Sequence, residues 1–299
     1  MASMDQSKAN AGPFSMRVGL TEFATSSEEL GRKLYMTYRD FLSVQIYYRI
    51  WDADLQSTNS VEISDASTGS QPALAVFNGK LYMVYEGGEI VTDNRIRYRT
   101  LDGLTSSWSD ELIIPYAYTT FPPALAVYGD KLYLVYRGPK TDDKLYFSTF
   151  DGTNWSDVVQ LPNSLTSDSP ALAVYNEKLY LAYREAESGG PSERLWYTTY
   201  DAKNSKWSQD SQIPNVLLSG SPALAVFNGN LYLAHRGAGS IGQASHLWCT
   251  RFDGTKWSND RALEIKTDAS PALTMFGSRL AVAGTGDSPV TFLNDDTMD

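Results

Sequence analysis

The sequence predicts an all-β protein, a six-bladed β-propeller of four-stranded antiparallel blades, and three observations predict it. One pattern recurs six times along the 299 residues. Each copy holds short runs of β-branched and aromatic residues separated by turn signals. No stretch shows the 3.6-residue apolar period that a helical solenoid of similar repeat length would need.

The repeat is anchored by Lys-Leu-Tyr at Lys33, Lys80, Lys131 and Lys178, with equivalents beginning at Asn230 and Arg279, so successive copies are 47 to 52 residues apart. Strand A is the run PALAVF, opened by Pro72, Pro123, Pro170, Pro222 and Pro271, with the first copy degenerate there. Asn78-Gly79 and Asn228-Gly229 are two-residue hairpin signals that join strand A to strand B, LYLVYR. Strand C, as in LWYTTY, leads through Asp151-Gly152 or Asp253-Gly254 into a strand D opened by Trp155 or Trp257. The sixth copy runs PALTMF, RLAVAG and PVTFLN and has no Trp-bearing fourth strand. The extended segment Phe14 to Leu20 is expected to supply it, pairing the two ends of the chain so that the last blade keeps no long bare edge. Residues 1–12 read as a disordered tail and 13–299 as one domain.

Charge and cysteine content narrow the function. The chain carries 25 Lys and Arg against 35 Asp and Glu, a net charge of −10, with no basic cluster, which argues against a nucleic-acid partner. Apolar runs such as Ala73 to Phe77 fall far short of the ~20 residues that span a bilayer. Cys249 alone can form no internal disulfide, and with only His235 and His246 beside it zinc ligands are scarce. No calcium loop of the EF type is present, and no metal or cofactor is expected. The N-terminal MASMDQSKANAGPF has no apolar signal core, so the expected location is the cytoplasm or release by a non-Sec route.

The strand order places the A–B and C–D turns on one face of the ring and the B–C and D–A connections on the other. The first set is short and uniform, as tight hairpins require. The B–C loops vary: from Gly87, Gly138, Glu185 and Gly237 they differ in length and composition. Variable loops on one face of a rigid repeat scaffold are where binding residues concentrate. Beside them recur Arg39, Arg137, Arg184 and Arg236 at the end of strand B, Tyr47, Tyr146, Trp196 and Trp248 near the start of strand C, and Ser169, Ser221 and Ser270 before strand A. A guanidinium fork next to an aromatic plane suits a sugar, whose hydroxyls take hydrogen bonds while its ring face stacks. The same residues also read as structure, the arginines satisfying carbonyls or pairing with acids between blades and the aromatics filling the interblade core. Blade 2 departs from the pattern with Glu86 and Arg97, and blade 6 with Gly284 and Thr291, so any pockets are expected to be unequal. The leading expectation is a non-enzymatic, multivalent lectin or lectin-like recognition or toxin-associated module with glycans or glycoconjugates as partners, and an oligomer is compatible with it. A protein-interaction platform is a further alternative.

Stretches such as SPALAVYNEKLYLAYRE and LWYTTYDAKNSKWS resemble bacterial sialidase-like, BNR-type repeat propellers over about residues 20 to 290. The implied architecture also resembles the six-bladed fungal fucose-binding lectins and the tachylectin-type propellers. The turn TFDGTNW is similar to a sialidase Asp-box but one residue short between Asp151 and Trp155, and the resemblance carries over no catalytic residue. A sialidase would need three arginines converging on one carboxylate, whereas Arg39, Arg137, Arg184 and Arg236 occupy equivalent places round a ring. A two-carboxylate glycoside hydrolase is the enzymatic alternative, with Asp142, Asp143, Glu185 and Glu187 on the loops as its acids, although loop charges of this kind are ordinarily solvated. Cys249 reads as a buried, inert thiol and His235 as a packing variant of the strand B tyrosine.

Overall fold

The computed structural model describes residues 18–24, 32–40, 44–87, 93–102, 107–187, 190–238, 246–283 and 290–294. They form six antiparallel sheets and no helix. Blade 1 comprises β1 (Val18–Ala24), β2 (Arg32–Arg39), β3 (Gln45–Trp51) and β4 (Val61–Ser67). Blade 2 has β5 (Ala73–Phe77), β6 (Lys80–Glu86), β7 (Arg95–Asp102) and β8 (Leu112–Tyr118), and blade 3 has β9 (Ala124–Tyr128), β10 (Lys131–Arg137), β11 (Lys144–Phe150) and β12 (Val159–Leu165). Blade 4 contains β13 (Ala171–Tyr175), β14 (Lys178–Glu187), β15 (Gly190–Asp201), the two-residue β16 (Lys206–Trp207) and β17 (Ser211–Leu217). Blade 5 is β18 (Ala223–Phe227), β19 (Asn230–Arg236), β20 (His246–Phe252) and β21 (Arg261–Lys266), and blade 6 is β22 (Ala272–Phe276), β23 (Arg279–Ala283) and β24 (Val290–Leu293).

The inner strands touch in the cyclic order β1, β5, β9, β13, β18 and β22, with β22 returning to β1, and this closes a six-bladed ring. Closure differs from the sequence expectation. Val18–Ala24 pairs with β2, from Val18 opposite Tyr38 to Ala24 opposite Arg32, and is the inner strand of blade 1 rather than an outer strand of blade 6. The physical reason is coverage: an inner strand is flanked by inner strands of both neighbouring blades, here β22 and β5, whereas an outer strand has a bare side. Blade 6 has three strands among the described residues, and residues 14–17 of the expected closing segment lie outside them.

Strand B is buried along nearly its whole length, as in Leu132 to Arg137, because both faces of each blade are covered by neighbours. That is why the run LYLVY reads as continuously apolar rather than alternating. The Asn-Gly turns take positive φ at both positions, +48° and +73° at Asn78-Gly79 and +45° and +74° at Asn228-Gly229, the geometry that selects these residues. At the outer strands, burial falls on Ile63 and Ala66, Ile114 and Ala117, and Ile213 and Val216, every third residue. A register shift against strand C accounts for the spacing, with Asp65, Tyr116 and Asn215 at φ near +58° within it. The loop-face end of the axis is a cavity of about 130 Å³ lined by Pro72, Pro122, Pro123, Pro170, Pro222 and Pro271.

Candidate functional site

Cross-strand pairing decides what the recurring arginines and aromatics can share. Directly paired residues in a sheet project to one face, and sequence neighbours to opposite faces. Tyr183 pairs with Trp196 and Arg184 with Leu195. In blade 3, Tyr136 pairs with Tyr146 and Arg137 with Leu145, and in blade 5 His235 pairs with Trp248 and Arg236 with Leu247. Blade 1 repeats the arrangement, Tyr38 with Tyr47 and Arg39 with Ile46. The arginine and the aromatic of one blade therefore lie on opposite faces of its sheet. Arg184 and Trp196, which the sequence suggests as partners flanking one loop, are separated in this way.

Packing shows which junction each residue faces. Leu195 belongs to the apolar cluster between blades 4 and 5, with Leu231, Leu233 and Phe252, while Trp196 packs in the cluster between blades 3 and 4, with Val135, Leu145 and Leu172. Arg184 thus turns toward the junction that Trp248 faces from blade 5, and Arg137 toward the junction that Trp196 faces from blade 4. Arg39 and Arg97 face the junction of blades 1 and 2, Arg236 shares its junction with Thr291, and Tyr47 packs against blade 6. Tyr146 packs at the junction of blades 2 and 3, and Glu86, at the end of strand B in blade 2, has its carboxyl beside Ser70 and the Gly69 backbone. Of the positions at the end of strand B and the start of strand C, those at the 3/4 and 4/5 junctions combine an arginine with a tryptophan among the described residues; Gly284 lies outside them.

The arginines are also structural braces. Arg137 is buried; its Nε donates to the Thr166 carbonyl at 2.9 Å, its Nη2 contacts the Asp143 carboxylate, and its guanidinium lies 4.0 Å from the centre of the Phe121 ring. Arg184 Nε donates to the Ser192 carbonyl at 2.6 Å, with Nη1 3.9 Å from Asp168. Arg236 Nη1 donates to the Asp268 carbonyl at 3.2 Å. Asp168 in turn accepts from the Ser221 hydroxyl at 2.6 Å, and Ser270 Oγ accepts from the Ser221 backbone N–H at 2.9 Å, so the predicted serines form a polar chain across blades 4 to 6. The indole N–H groups of Trp196 and Trp248 are buried and find no acceptor among the described residues, and those of Trp108, Trp155, Trp207 and Trp257 are in the same position, so this feature belongs to the repeat and does not mark a site.

A further cleft, of about 230 Å³, opens at the 2/3 junction. Tyr116 and Tyr118 of the blade 2 outer strand form one wall, and Tyr136, Pro139, Asp142, Tyr146 and Val158 of blade 3 the other. Tyr136 and Tyr146 stack at 5.8 Å, and Tyr146 donates its hydroxyl to Asp142 at 2.8 Å. Burial pushes the phenol of Tyr146 above its usual range, and the Asp142 carboxylate adds to the shift. Tyr116 and Tyr118 were not among the expected site residues. Their signal was a departure from the repeat, since Asn163 and Asn215 stand where Tyr116 does.

The other chemical groups resolve into local structure. Asp143 holds Arg137, and Glu185 and Glu187 lie 3.7 and 3.2 Å from Arg194. His235 Nε2 is 3.1 Å from Asp260 within blade 5. Burial pushes the Cys249 thiol up to about 12, so it is no nucleophile at neutral pH. No group of three or more metal-ligating side chains occurs among the described residues, and no described helix is long and apolar enough to cross a membrane.

No protein-family profile and no curated protein matches the chain. Solved structures do. A protein of unknown function from Dyadobacter fermentans is similar with a TM-score of 0.66 and 8% identity, covering 95% of this chain and 94% of that one. The Aleuria aurantia lectin, solved with α-methyl-L-fucoside, is similar with a TM-score of 0.60 and 10% identity over 93% of this chain and 95% of the lectin. An ulvan lyase of polysaccharide lyase family PL25 gives 0.55 and 11%, over 91% and 78%. At these identities the likeness is one of fold, and it agrees with the pairing and the ring: the chain is a six-bladed β-propeller.

Proposed function

We propose that this protein is a multivalent carbohydrate-binding propeller whose sugar sites lie at the junctions between blades. The observation that carries the reading is that an arginine from one blade and a tryptophan from the next face the same junction, Arg137 with Trp196 and Arg184 with Trp248, beside the variable B–C loops. An indole offers a sugar a stacking plane, and a guanidinium offers a planar fork for adjacent hydroxyls. The 4/5 junction is the better site, because Arg137 is already held by Thr166, Asp143 and Phe121 whereas Arg184 has one close carbonyl partner and a distant carboxylate. That a fucose lectin and a polysaccharide lyase are built on this fold supports the reading without supplying the sugar. Two or more weak sites on one rigid ring would raise apparent affinity roughly 10²- to 10⁴-fold on a multivalent surface. A glycan array followed by calorimetric titration tests it: a defined glycan class bound by the wild type and lost in Trp248→Ala is expected, and silence across all glycan classes overturns it.

A further inference from the structure

The cleft at the 2/3 junction has a chemistry of its own. Its described walls are four tyrosines, Tyr116, Tyr118, Tyr136 and Tyr146, with Pro139 and Val158, and its one charged lining group is the Asp142 carboxylate. No lysine or arginine lines it among the described residues. At the strand-end position where blades 3, 4 and 5 carry arginine, blade 2 carries Glu86, so no guanidinium from that position reaches this junction.

The polar equipment fits a sugar poorly. The Tyr146 hydroxyl is committed to Asp142, and the Tyr136 hydroxyl is buried and already accepts from the Tyr118 backbone. What remains is a set of ring faces around a carboxylate. The stacked Tyr136 and Tyr146 rings form a fixed wall, while Tyr116 is 79% exposed and able to close over an occupant. Asp142 is itself positioned: the Lys144 backbone N–H donates to its Oδ1 at 3.2 Å, and its side chain packs so closely over Gly138 that a Cβ there would clash with it.

Aromatic faces attract a cation through their quadrupoles, and methylated ammonium groups, too weakly hydrated to need hydrogen bonds, are the cations such cages hold best. We infer that the Tyr116–Tyr118–Tyr136–Tyr146 cleft with Asp142 is a binding site for a quaternary ammonium group of the choline type. This site is separate from the arginine–tryptophan junctions, so the sugar reading and this one stand or fall independently.

Choline is the probe, and 3,3-dimethylbutan-1-ol, its uncharged isostere, is the control, each titrated into the full chain by calorimetry and ligand-observed NMR. Saturable choline binding is expected, with the isostere about tenfold weaker or undetected, since the cation–aromatic attraction in a partly desolvated cage is worth about that factor. Tyr116→Asn installs the residue that blades 3 and 4 carry at this place, and Asp142→Asn keeps the hydrogen-bonding shape without the charge. Both should weaken choline by about tenfold at an unchanged denaturation midpoint, while Trp248→Ala should leave choline binding intact. Co-sedimentation with phosphatidylcholine vesicles that Tyr116→Asn abolishes would identify a lipid headgroup as the source of the cation, and choline binding without co-sedimentation a soluble one. Equal binding of choline and its isostere, no choline binding at all, or insensitivity to both variants overturns the inference, as does a neutral glycoside that occupies the cleft while choline does not.

Discussion

His235 shows how one residue position can keep its work while changing its chemistry. It stands where Tyr85 and Tyr183 stand in blades 2 and 4, and each of the three meets an acid from the segment after the turn tryptophan: Glu111 at 2.6 Å from the Tyr85 hydroxyl, Asp210 beside Tyr183, and Asp260 at 3.1 Å from His235. Blade 3 carries Val158 there, and its Tyr136 turns to the Tyr118 backbone instead. His235→Tyr should therefore be tolerated, whereas His235→Phe leaves Asp260 without its partner and should cost about 1–3 kcal/mol by denaturant unfolding. Cys249 should ignore a thiol reagent in the native protein and react at the rate of unfolding, because burial holds it as the neutral thiol; rapid native labelling contradicts this. Glu86 has the opposite kind of consequence, one set by pH. Burial pushes its carboxyl from 4.5 up to about 7, against the pull of Ser70, the Gly69 N–H and Arg39. The folded protein then holds a proton that the unfolded chain has released, so this residue's contribution falls as pH rises from about 4.5 to 7 and stays unfavourable above. Glu86→Gln should be no more stable than wild type at pH 4 and more stable at pH 8, and a constant difference across that range contradicts the assignment.

The C–D turns of blades 3 and 5 are elements whose sequence can be read almost atom by atom. Asp253 Oδ1 accepts from the Thr255 hydroxyl at 2.6 Å and from the backbone N–H groups of Thr255 and Lys256, and Asp151 accepts likewise from Thr153 and Asn154. The following tryptophan makes a single bridge to the end of strand C, Phe150 to Trp155 and Phe252 to Trp257, and the serine after it accepts a backbone N–H of strand C, as Ser258 does from Arg251 at 3.0 Å. These bonds hold the Asp253 carboxyl down at about 2. A depressed acid stabilises above its unfolded value and loses that effect as pH falls through its folded one, so Asp253→Ala should narrow its deficit against wild type as pH drops from 5 toward 2, with the unfolding midpoint as the readout. The turns, strands A to C and their order were legible because turn chemistry and apolar runs are local. The outer strands were less so. Their true pairing begins beyond the tryptophan, at Val159 opposite Phe147, and shifts register between Tyr146 and Lys144, a bulge set by backbone geometry that no residue pattern announces. The candidate residues could be picked out from the repeat but their partners could not, because sequence proximity across a loop conceals that Arg184 and Leu195 share one face of the blade and Tyr183 and Trp196 the other.

Across the whole ring, closure and the proposed sugar sites both depend on what neighbouring blades present to each other. The repeat count foretold six blades, but the role of the first strand needed the three-dimensional ring, since repeat 1 lacks the proline that marks strand A elsewhere. Removing residues 1–24 should now take out the inner strand between β22 and β5 and abolish cooperative unfolding; a truncated chain that melts as the full one does contradicts this closure. At the same scale, Trp196→Ala should lower stability by about 3 kcal/mol, the low end for a buried aromatic, because it packs between blades 3 and 4. The central claim is that a sugar site is built across a junction, by the arginine of one blade and the tryptophan of the next. A double-mutant cycle on glycan affinity tests it most directly, comparing Arg184→Lys with Trp248→Ala across the 4/5 junction and Arg184→Lys with Trp196→Ala within blade 4. The account predicts coupling of roughly 1 kcal/mol or more for Arg184 with Trp248 and additivity within about 0.5 kcal/mol for Arg184 with Trp196; coupling confined to Arg184 and Trp196 would contradict it.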